Sequence, residues 1–128
     1  MPEAKDLAAN FRLVKLVLAR SSEHPYGESD EGYDVLVPLH DDGTLDADTW
    51  RQNPETCRIR RFTAAEPARL GHVRRKPGGR WYFDYQEGDE DDEIGFRFGA
   101  ERFVPGEYVS ISHQGVMRTY LVAHVRKP

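Results

Sequence analysis

The stretch Arg80-Trp81-Tyr82-Phe83-Asp84-Tyr85-Gln86 decides the fold. Trp81, Phe83 and Tyr85 alternate with Tyr82, Asp84 and Gln86, a period of two that puts three aromatics on one face of a β-strand. A helix would scatter the same three rings around its circumference. The strand follows Pro77-Gly78-Gly79, a hairpin turn signal, so Arg69 to Lys76 (RLGHVRRK) reads as its antiparallel partner.

Working outward, turn signals recur about every ten residues, the spacing of a β-sandwich or barrel. On the C-terminal side, Glu87 to Glu93 (EGDEDDE) is an acidic loop leading to a short strand at Ile94 to Phe98. Val104-Pro105-Gly106 turns the chain into Glu107 to His113, and Gln114-Gly115 turns it into the long strand Val116 to Val125. Met117, Leu121 and Val125 share one face of that strand and are expected opposite the aromatic row.

On the N-terminal side, Cys57 to Phe62 and Tyr33 to Leu39 read as strands. Asp46 to Asn53 reads as a short helix, capped by Asp46 or Asp48, with Thr49-x-x-Gln52 resembling a capping box and Pro54 as its stop. Ser21 to Gly32 is polar and reads as a loop. Phe11 to Arg20 (FRLVKLVLAR) fits two patterns. Leu7, Phe11, Val14 and Leu18 fall at helical spacing, while Leu13 and Val17 against Val14, Leu16 and Leu18 alternate as in a strand. The valines and the surrounding β pattern favour the strand. The expected fold is all-β: a small, mostly antiparallel β-barrel or curled sheet of about seven to eight strands with one short helix.

A chain of 128 residues is one domain's worth, with residues 1–8 as an N-terminal tail. It is long enough to bury about two-thirds of its unfolded surface without staples. Cys57 is the single cysteine, which excludes an internal disulfide and any Cys-x-x-Cys metal or redox pair, and fits a reducing compartment. There is no membrane-length apolar run and no secretory-type opening, so the expected setting is cytoplasmic.

Charge is segregated into blocks. Ser21 to Glu55 carries ten acids against one arginine, Thr56 to Arg80 eight bases against one glutamate, and Trp81 to Glu93 seven acids and no base. Such blocks mark either a face for a charged partner or neighbouring strands that neutralise one another. Acidic blocks flanking the basic one favour the second.

Candidate sites follow from these residues. Arg58, Arg60, Arg61, Arg74, Arg75, Lys76 and Arg80, beside Trp81, Tyr82, Phe83 and Tyr85, would form a single-strand nucleic-acid platform if they shared one face. His24, His40, Asp41 and Asp84 would form a polar or catalytic site if they converged. Cys57 beside Arg58 and Arg60 would be reactive if exposed, and an inert small apolar group if buried. The acidic loop lacks the ligand spacing of an EF-hand, and no Gly-rich phosphate loop or nucleophile elbow occurs. No catalytic residue and no cofactor is assigned. The reading is a non-catalytic binding or interaction module with a protein partner favoured over nucleic acid. The alternatives are a nucleic-acid-binding barrel using the basic 58–80 strands, or a small enzyme or cation site using His24, His40 and the acidic loops.

Overall fold

A computed structural model of the protein describes residues 8–20, 25, 27–86, 92–93, 98–113 and 115–128. The chain forms β1 (Phe11–Leu18), β2 (Glu28–Pro38), a helix α1 (Ala47–Gln52), β3 (Arg58–Phe62), β4 (Arg69–Arg75), β5 (Trp81–Tyr85), β6 (Asp92–Glu93), a 3-10 turn at Phe98–Ala100, β7 (Tyr108–His113) and β8 (Val116–Arg126). All eight strands belong to one antiparallel sheet in the order β6-β5-β4-β3-β2-β1-β8-β7, curled into a half-barrel. Among the described residues no helix is long and apolar enough to cross a membrane.

The strand reading of Phe11 to Arg20 holds, and Val14, Leu16 and Leu18 are its buried row. The aromatic row of β5 is buried as expected. Phe83 packs on Tyr33, and Trp81 meets Trp50 of α1 edge-to-face at 4.9 Å. Trp50 is itself fixed, because its indole Nε1 donates to the Val73 carbonyl at 2.8 Å. Asp46 caps α1 by accepting from the Thr49 backbone N–H and hydroxyl, and Asn10 donates to the same carboxylate. Thr49 therefore lies inside the first turn, and the capping box expected from Thr49-x-x-Gln52 does not form.

Two expectations need correction. The first concerns β8, where Tyr120 and Val122 face the core while Met117 is half exposed. The pairing of β1 with β8 slips at Lys15/Leu16, so that Ala123 is an extra residue between His124, opposite Lys15, and Val122, opposite Leu16. This bulge resets the alternation, and Val125 packs against the core in the new phase.

The second concerns the polar stretch read as a loop: Glu28 to Gly32 belongs to β2. Gly32 sits opposite Val17, and a Cβ there would fall 1.8 Å from the Leu16 carbonyl oxygen, so glycine permits the close backbone approach. The strand expected at Ile94 to Phe98 falls almost wholly outside the described residues. Phe98 opens a 3-10 turn, and residues 94–97, with most of the acidic loop, lie outside the described residues.

Candidate functional site

The outer face of the sheet is built from two cross-strand rows. Register aligns Arg126 of β8 with Leu13 of β1, Leu36 of β2, Arg58 of β3, His72 of β4 and Asp84 of β5. Leu36 and Arg58 are themselves partners, which closes that row. The neighbouring row runs His124, Lys15, Asp34, Arg60 and Leu70.

Over β1 to β4 these rows enclose a groove of about 500 Å³. Its floor is Leu13, Leu36 and Leu70, and its rim carries Lys15, Arg58, Arg60 and Arg126. This volume lies within the range of small-ligand sites. Leu70 is half exposed, an apolar side chain presented to water on a face that usually carries polar residues.

Asp34 is the acid on the rim. Arg60 donates to its carboxylate at 3.0 Å and Lys15 lies 3.4 Å away. The rim thus keeps an excess of positive charge. Arg58 and Arg126 form no ion pair among the described residues.

The seven basic residues proposed for nucleic acid do not share a face. Arg58, Arg60 and Arg74 point outward, and Arg74 is held by Glu55 at 2.7 Å and by Asp84 at 3.6 Å. Arg61 turns inward opposite Tyr33, so its guanidinium faces the Tyr33, Tyr85 and Tyr120 phenols. Burial pushes the Tyr33 and Tyr120 phenols up from the ordinary tyrosine range. Arg75 stacks over Trp81 and Lys76 over Tyr82, while Arg80 is exposed at the hairpin. Trp81, Phe83 and Tyr85 are buried and offer no stacking surface. The charge blocks meet instead in pairs, Asp34 with Arg60 across β2 and β3, and Glu55 of the turn before β3 with Arg74 of β4.

The polar candidates do not gather either. His40 and Asp41 line a shallow recess with Phe103 and Pro105. Asp42 there accepts from the Thr44 N–H and hydroxyl, a local turn whose hydrogen bonds hold its carboxyl below the ordinary aspartate value. Asp84 lies on the outer face of β5, against Arg74. His24 and most of the acidic loop lie outside the described residues. Among the described residues no group of three or more His, Cys, Asp or Glu side chains could hold a metal ion. Cys57 is fully buried, and burial pushes its thiol up to about 12, so it behaves as a small apolar group.

The groove's Lys15, Leu13, Leu36, Leu70, His72 and Arg126 were not among the sequence candidates. One signal touched two of them: Phe11 to Arg20, which holds Leu13 and Lys15, is apolar on both faces. The chain matches no protein-family model, no curated protein and no solved structure.

Proposed function

We propose that the chain is a non-catalytic binding module whose ligand surface is the outer-face groove of β1 to β4. The observation that carries this reading is an apolar floor of Leu13, Leu36 and Leu70 inside a rim of net positive charge. Apolar area supplies affinity and the cations supply orientation, the usual division of labour in a ligand groove. Among the described residues no serine, threonine or cysteine lines the groove, and Asp34, the carboxylate there, is already held by two cations. Within the groove a nucleic-acid reading draws on Lys15, Arg58, Arg60 and Arg126, with Arg74 held by Glu55 and Arg61 facing inward.

The test is a titration of ¹⁵N-labelled full chain with octanoate and 3-phenylpropionate, two small amphipathic carboxylates. Amide shifts are expected at Leu13, Leu36, Arg58 and Leu70, and should be lost in Leu70→Asp. Shifts confined to the His40 recess, or none at all, would overturn the reading.

A further inference from the structure

The Arg126–Leu13–Leu36–Arg58 row has a spacing that selects among possible ligands. Its two arginines stand on β8 and β3, three inter-strand steps apart, which is roughly 14 Å at the usual strand separation. Between them lie two leucines and no charge. An extended peptide advances about 3.3 Å per residue and points alternate side chains the same way, so residues i, i+2 and i+4 face one surface over about 13 Å.

Resting on the groove as the binding surface, we propose that its occupant is an extended segment of a partner protein with the pattern acid, any residue, aliphatic, any residue, acid. The two carboxylates meet Arg126 and Arg58, and the aliphatic side chain sits on Leu13 and Leu36. Charge complementarity argues for this occupant: neither arginine has a carboxylate within ion-pair distance among the described residues, and Asp34, the one acid on the rim among those residues, already serves Lys15 and Arg60. Guanidinium groups suit carboxylates because they offer paired donors in one plane. A phosphodiester backbone would match the arginines but leave the leucine floor unused, whereas an aliphatic side chain covers it.

The experiment uses the full chain and fluorescein-labelled decapeptides carrying two glutamates around a leucine, with the glutamates two, four or six positions apart. Anisotropy should show tightest binding at a separation of four. Replacing the glutamates with glutamine, or the leucine with serine, should weaken it. The Arg58→Gln/Arg126→Gln variant, checked for an unchanged circular dichroism melt, should bind about tenfold more weakly, the sum of two exposed ion pairs. Indifference to glutamate spacing, or equal binding by the double variant, would overturn the proposal.

A twelve-base oligothymidylate and octanoate are run in parallel by ¹⁵N amide shifts. If the peptides fail while octanoate still shifts the groove amides, the groove stands and the peptide does not. If the oligothymidylate binds in the groove more tightly than any peptide, the partner is a nucleic acid and the proposal falls. If no probe perturbs the groove, the proposal and the groove reading fall together.

Discussion

In β5 the inward residues Trp81, Phe83 and Tyr85 are buried, and the outward ones, Tyr82 and Asp84, are polar and part-exposed. In β1 the inward residues Val14, Leu16 and Leu18 are equally buried, but the outward face still carries Leu13 and Val17, flanking Lys15. Both strands fold for the same reason, burial of one face against a common core. They differ in what the second face is built for. β5 meets water with groups that water solvates, while β1 turns outward two apolar groups, of which Leu13 lies on the floor of the groove. An apolar outward row costs solubility and adds nothing to the core, which is the ground for the ligand reading proposed above.

The sharpest way to break this comparison is at Trp81. Trp81→Ala is expected to cost about 3–5 kcal/mol in denaturant unfolding, because it empties the site against Trp50. A cost near zero would mean that the aromatic row is not the core.

The next test addresses the bulge in β8. Val122→Ala is expected to cost about 2 kcal/mol by the same measurement, as a buried aliphatic does, and Met117→Ser no more than about 0.5 kcal/mol, as a surface change does. The reverse ranking would restore the uninterrupted alternation and remove the bulge.

A smaller effect is expected at the helix that holds Trp50 in place. Asp46→Ala removes the cap accepted from Thr49 and should lower stability by about 1 kcal/mol in a thermal or denaturant melt. Asp46→Asn should keep most of that, since the amide oxygen still accepts.

The smallest effect is on pH dependence. The hydrogen bonds from Arg74 hold the Glu55 carboxyl below its ordinary value of 4.5. The pair's contribution is therefore present in full above that value and is lost as pH falls through the lower, folded-state value. Glu55→Gln should flatten the acid limb of a stability-against-pH curve below about pH 4.5 and leave the neutral region alone. An unchanged acid limb would show that the pair is not maintained in solution.

Much of the architecture was legible because it follows from local chemistry. Period-two aromatics, glycine at turns and an aspartate before α1 each act over a few residues, so β5, the 77–79 hairpin and the helix could be located from the chain itself. The misreadings share one cause. The phase of β8 depends on Ala123 being squeezed out opposite Lys15 and Leu16, a hundred residues away, and Glu28 to Gly32 becomes strand because β1 offers it a partner. The site was less legible than the fold. Arg58, Arg60 and Arg61 look alike in sequence, yet one lines a groove without an ion pair among the described residues, one is held by Asp34 and one faces buried phenols.

The sequence by itself determined an all-β chain with a buried aromatic strand and opposite charges in adjacent blocks, since periodicity and turn chemistry are local. Only the tertiary structure decided which charges meet and which side chains form the groove. Arg126, Leu13, Leu36 and Arg58 become neighbours through hydrogen-bond register between four strands, and register is set by the pairing of distant segments rather than by any one of them.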